Sequence, residues 1–115
     1  MSAPTIDAAT FDALKETTGA EFTFELVDTF LQEAPVMLDD MRRALAAKDP
    51  DRFRRAAHSL KSNSNTFGAL ALAAMARELE ITGLAAVLAG GERPLDALAE
   101  EYSRVAAALT ALRHA

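Results

Sequence analysis

The chain has 115 residues, half of them apolar, with five glycines, four prolines and no cysteine. That length suits one domain over residues 1–115 with a single core. The missing cysteines exclude disulfides, thiolate metal sites and cysteine nucleophiles. The formal net charge of −5 is unevenly spread: between Arg42 and Lys61 seven basic residues meet two acidic ones, a local +5 that leaves the rest at −10. One basic region in an acidic chain suits an acidic protein surface or a phosphoryl group better than nucleic acid.

Scarce glycine and proline, with alanine and leucine dominant, favour an all-α domain over a β-sandwich. Met1-Ser2-Ala3-Pro4-Thr5 has no basic segment followed by an apolar one, so no secretory signal is expected. No stretch approaches the roughly 20 apolar residues of a membrane span, and the expected location is the cytoplasm. Asp7 can cap a short helix over Ala8–Thr18, which carries Phe11 and Leu14 and stops at Gly19. A long helix is predicted from about Ala20 to Lys48, with Phe22, Leu26, Phe30, Met37, Met41 and Leu45 at near-helical spacing. Pro35 inside it removes a backbone donor, so a kink or local break is expected there.

Asp49-Pro50 reads as an N-cap and first helical residue, opening a third helix to about Thr66. Gly68 permits a turn or close approach before a fourth helix, roughly Ala69–Ala89, carrying Leu72, Met75, Leu79 and Val87. Gly83 weakens that helix by about 1 kcal/mol relative to alanine, so a bend or early end is expected. Gly90-Gly91 is a linker, and Pro94 opens a last helix whose Leu95, Leu98, Tyr102, Val105, Leu109 and Leu112 form a stripe. Four amphipathic helices with short connections imply an antiparallel up-down four-helix bundle, with the short first helix capping one end. No second apolar stripe is evident, which predicts a monomer.

At 100° per residue, Arg54, Arg55, Lys61, Ser62 and Asn65 fall within about 60° of His58 on the third helix. Phe53, Ala56, Leu60 and Phe67 lie more than about 130° away. The apolar side is the core, so His58 faces outward, although a lone histidine is more often a satisfied core residue. A neutral imidazole keeps a lone pair on one ring nitrogen, a competent nucleophile toward phosphorus. Lys61, one turn on, can offset phosphoryl charge, and Ser62 leaves room for an incoming protein surface. Ser64 lies toward the core, where its hydroxyl can bond back to the Leu60 carbonyl and allow close helix packing. Asn63 and Asn65 read either as orienting groups or as ordinary helix polars, and Arg54 and Arg55 either as a docking surface or as a solvated basic face. His114 near the C-terminus reads as incidental.

The run His58-Ser59-Leu60-Lys61-Ser62-Asn63-Ser64-Asn65-Thr66-Phe67-Gly68-Ala69 resembles the signature His-x-Leu-Lys-Gly-Ser-Ser-x-x-x-Gly-Ala of histidine-containing phosphotransfer (HPt) domains. His58, Leu60, Lys61, Ser64, Gly68 and Ala69 match, while Ser62 replaces a glycine and Asn63 a serine. Ala76-Arg77-Glu78-Leu79-Glu80 follows where the family carries a similar fourth-helix segment, so the resemblance covers nearly the whole chain. It implies that His58 is the phosphorylated residue, that Lys61 assists electrostatically, and that Glu80 contacts the imidazole and fixes its orientation. Ser62, Asn65, Arg54 and Arg55 are then candidates for partner contact, and Ser64 and Gly68 for close packing.

The implied function is that of a phosphorelay intermediate. His58 takes a phosphoryl group from the aspartyl phosphate of one receiver domain and passes it to another. The receivers implied are those of response regulators or of a hybrid histidine kinase. They would bring the magnesium ion; no cofactor or metal is expected here. No Gly-rich phosphate loop or kinase motif is present, so a phosphocarrier rather than an enzyme is expected. The alternative is an adaptor that docks receivers without carrying phosphate. A di-metal carboxylate bundle would need Glu-x-x-His pairs, which the sequence lacks, and a small basic patch without clear aromatic partners argues against nucleic acid.

Overall fold

The computed structural model describes residues 5–114. Met1-Ser2-Ala3-Pro4, where no secretory signal is expected, lies outside the described residues, as does Ala115. The described chain is all-helical, with five helices: α1 (Ala8–Thr18), α2 (Ala20–Ala47), α3 (Pro50–Phe67), α4 (Leu70–Gly90) and α5 (Arg93–Arg113). None is long and apolar enough to cross a membrane.

Local chemistry sets the boundaries. The Asp7 carboxylate accepts from the Thr10 amide at 3.0 Å and starts α1. Gly19, at φ 85°, ends α1 and begins α2, and the hydroxyls of Thr18 and Thr23 meet across it at 2.7 Å. Lys48 takes the left-handed conformation that terminates α2. Asp49 then caps α3 through the Arg52 amide at 3.1 Å, with Pro50 in the first turn. α3 closes in a Schellman turn: the Gly68 amide donates to the Asn65 carbonyl and the Ala69 amide to the Ser64 carbonyl. The bend expected at Gly83 is present, because that residue leaves helical geometry at φ 76° inside α4.

α2, α3, α4 and α5 pack in a ring in which each helix meets the next and α5 returns to α2, while α1 rests on α2 and α3. α3 buries Phe53, Ala56, Ala57, Leu60 and Phe67. Full burial of a leucine or phenylalanine contributes about 1.5–3 kcal/mol, so Phe53 and Leu60, both at 0% exposure, hold the rotation of α3. Phe30 of α2 packs on Phe67 and Tyr102, with ring centroids 5.2 and 6.1 Å apart. At the far end Arg113 grips the Asp28 carboxylate with two hydrogen bonds, of 2.7 and 3.0 Å, and stacks near Phe24.

Two sequence expectations change. Phe22 is 51% exposed, and the buried face of α2 runs instead through Thr23, Val27, Phe30, Ala34, Met41 and Leu45. Position 22 lies in the first turn of α2, beside the Gly19 junction, where the Thr18–Thr23 pair turns Thr23 inward. The second change is at Pro35, through which α2 continues as one helix without a break. Proline cannot donate to the Leu31 carbonyl four residues back. The Tyr102 hydroxyl on α5 donates to that carbonyl instead, at 3.3 Å. A side chain from a neighbouring helix thus fills the gap in the ladder.

Gly68 meets two demands at once. Its φ of 82° favours glycine, and a Cβ there would stand 2.9 Å from the Asp7 carbonyl oxygen and 3.0 Å from Thr10 Cβ. The Gly68 carbonyl also accepts from the Asp7 amide at 2.8 Å, so α1 sits directly on the end of α3. Replacing Gly68 by alanine should lower stability by about 1–3 kcal/mol, read as a reduced urea midpoint; an unchanged midpoint would contradict the close approach. Tyr102→Phe should cost about 1 kcal/mol in the wild-type background and clearly less in Pro35→Ala, where the restored amide supplies the missing donor. A double-mutant cycle with no coupling would sink this account of the proline.

Candidate functional site

His58 stands on α3 opposite the buried Phe53–Leu60 face, and its side chain is 57% exposed. α4 packs directly against α3 and brings Glu80 alongside. The carboxylate divides its two oxygens. Oε2 lies 2.7 Å from His58 Nδ1, and Oε1 accepts from Lys61 Nζ at 2.8 Å. Glu80 and Lys61 are both largely covered, at 19% and 23% side-chain exposure. The Lys61 hydrogen bond, followed by that of His58, holds the Glu80 carboxyl below its ordinary pKa of 4.5 against the opposing effect of burial.

An ionised carboxylate accepts only, so Nδ1 must carry a proton in this contact. In the neutral ring the lone pair is then on Nε2, the nitrogen away from Glu80. The arrangement therefore selects a tautomer and leaves the lone pair on the nitrogen that Glu80 does not engage. An open cleft of about 420 Å³ adjoins the ring, lined by Arg54, Arg55, His58, Ser59 and Glu80. A second, of about 360 Å³, shares Arg55 and Ser59 and reaches α2 at Met37 and Asp40. Arg52 pairs with Asp40 at 2.7 Å along its wall, and that bond raises the arginine's pKa.

Of the residues singled out from sequence, His58, Lys61 and Glu80 come together, and Arg54 and Arg55 line the cleft beside them. Lys61 points its ammonium at Glu80 and is not among the cleft-lining residues. Ser62 and Asn65 are exposed but line neither cleft; the Asn65 carbonyl serves the turn at Gly68. Asn63 reaches across to the sulfur of Met37 at 4.0 Å. Ser64 is fully buried, in keeping with close packing, but its hydroxyl does not bond to the Leu60 carbonyl: Oγ has no partner. Burying an unsatisfied hydroxyl costs about 1–3 kcal/mol, so the Ser64 hydroxyl does not add stability through a hydrogen bond. His114 is exposed at the end of α5, away from His58.

Sequence reasoning missed Ser59 and the part played by α2. Ser59 sits 100° from His58 on the helix, outside the arc taken as the functional face, yet it lines both clefts. Met37 reads from sequence as a member of an apolar stripe, and only the packing of α2 on α3 reveals it at the rim.

The family model for the Hpt domain matches residues 25–115. The chain belongs to the Hpt family. Among solved structures, this Hpt domain is similar to histidine-containing phosphotransfer protein B (HptB) from Pseudomonas aeruginosa PAO1. The two are 27% identical, with a TM-score of 0.84 over 98% of this chain and 97% of that one. No curated protein matches the chain. Membership assigns the Hpt domain a histidine phosphotransfer role in phosphorelays, as a phosphocarrier rather than an enzyme, with response-regulator receiver domains as its class of partner.

The bridging carboxylate has a measurable consequence. Glu80→Ala should shift His58 from the Nδ1-protonated tautomer toward the mixture of a free imidazole, visible in the ring ¹⁵N shifts; unchanged shifts would remove Glu80 from its orienting role. Because the folded state lowers the Glu80 pKa, its two contacts contribute fully above pH 4.5 and are lost as pH falls through the lowered value. The stability difference between wild type and Glu80→Ala should therefore shrink in urea titrations as pH falls below that value.

Proposed function

We propose that His58 is the phosphorylated residue and that its Nε2 carries the phosphoryl group. The observation that supports this most is the 2.7 Å contact of Nδ1 with the covered Glu80 carboxylate beneath a ring still more than half exposed. One nitrogen is engaged and the other is free.

In the reaction, the Nε2 lone pair attacks phosphorus of a receiver's aspartyl phosphate. The N–P bond forms as the P–O bond to the aspartate breaks, and the departing carboxylate keeps that electron pair. The Nδ1 proton stays in place, so the phosphorylated ring is an imidazolium whose charge Glu80 balances. Return of the phosphoryl group to a second receiver reverses the same step. The receiver supplies the magnesium ion and an acidic pocket; this domain supplies the nucleophile and its orientation. Lys61 acts through Glu80, keeping the carboxylate ionised and turned toward the ring. Ser62 and Asn65 belong to the surface offered to the partner.

The domain works as a single unit over residues 1–115, an antiparallel up-down bundle of α2–α5 with α1 closing one end, monomeric and cytoplasmic. It meets receivers of response regulators or of a hybrid kinase, and neither nucleic acid nor membrane.

Incubation with a phosphorylated receiver tests the proposal. Wild type should take up label that is acid-labile and stable to alkali, and His58→Gln should take up none while keeping the wild-type melting profile. Equal label on both proteins would place the phosphate elsewhere; none on either would leave a docking adaptor.

A further inference from the structure

We infer that Arg55, rather than Lys61, is the cation that meets the phosphoryl group on His58; this rests on the phosphocarrier reading above. A phosphoryl group on Nε2 brings up to two negative charges into the cleft, close to the negative charge of Glu80. The imidazolium and Lys61 already face Glu80, so the phosphoryl charge calls for a further cation. The candidates on α3 are Arg52, Arg54, Arg55 and Lys61, and each has a different prior commitment.

Lys61 is held by Glu80 at 2.8 Å and does not line the cleft. Moving its ammonium to the phosphoryl group would strip the carboxylate of the partner that keeps it ionised and poised on Nδ1. Arg52 is bound to Asp40 at 2.7 Å in the neighbouring cleft. Arg54 leans on Asp51 at 3.4 Å. Arg55 has no acidic partner among the described residues. It is exposed and lines both the cleft beside His58 and the adjoining one. Three residues before His58, it lies on the same helix face, about 5–6 Å away between Cβ atoms, within reach of a long side chain. A guanidinium also presents paired N–H donors that match two phosphoryl oxygens, which an ammonium does not. The charged groups facing this region are Arg54, Arg55 and Lys61 from α3, Glu80 from α4 with Arg77 exposed one turn before it, and the Arg52–Asp40 pair toward α2; Arg77 lines neither cleft.

The test is a ³¹P NMR pH titration of the full chain, phosphorylated by a receiver domain and separated from it, so that docking plays no part in the readout. A cation bound to the phosphoryl oxygens lowers their titration midpoint. Arg55→Gln should raise that midpoint by about half a pH unit or more, the exposed site and solvent screening reducing a larger contact effect. Arg55→Lys should recover part of the shift. Lys61→Gln should move the midpoint less than Arg55→Gln does. Arg43→Gln, which removes an equal charge on α2 outside both clefts, should leave it in place. The inference fails if Arg55→Gln behaves like Arg43→Gln, or if Lys61→Gln gives the larger shift. Absence of any phosphohistidine resonance in wild type would overturn the phosphocarrier reading itself, and this inference with it.

Discussion

The packing of α4 against α3 is the constraint on which the site depends. His58 alone would be an exposed imidazole with free choice of tautomer and rotamer. Glu80, twenty-two residues away in sequence, becomes its neighbour only because Leu60 and Ala57 on α3 and Ala76 and Leu79 on α4 are buried in the common core. The carboxylate then has two oxygens and two claimants. Its value lies less in stability, since a pair with one exposed partner contributes little, than in fixing which nitrogen holds the proton.

Under the proposed function, that division of labour lets so few residues suffice for phosphoryl transfer. The hydrophobic face of α3 fixes the direction of the ring, a carboxylate from α4 fixes its protonation, and the basic cluster next to it sets the field. None of these jobs requires a loop. All are carried by side chains on helices whose rotation is determined by buried leucines and phenylalanines, so the geometry is held before a partner arrives.

Much of this was legible in the sequence. Caps at Asp7 and Asp49, stops at Gly19 and Gly68 and the phase of α3 follow from rules that act within a few residues, and helix boundaries agree with them closely. Where reading failed, the deciding partner was distant. At Pro35 the helix runs on without the local break that its missing donor allows, and the group that serves the Leu31 carbonyl lies 71 residues on. Ser64 invites a local hydrogen bond, but tight burial sets its role. Ser59 looks peripheral on a helical wheel, because a wheel shows the face of one helix and not the clefts between α3 and its neighbours. The Lys61–Glu80 contact likewise becomes visible only once α4 is laid against α3.

The bend at Gly83 comes just three residues after Glu80. A straight helix behaves as a rod: a change of packing at one end rotates the side chains at the other. The bend there divides α4 into a half that carries Glu80 and a half that leads into the Gly90-Gly91 linker. Sequence drift, insertions or altered contacts in that distal half can be absorbed at the bend.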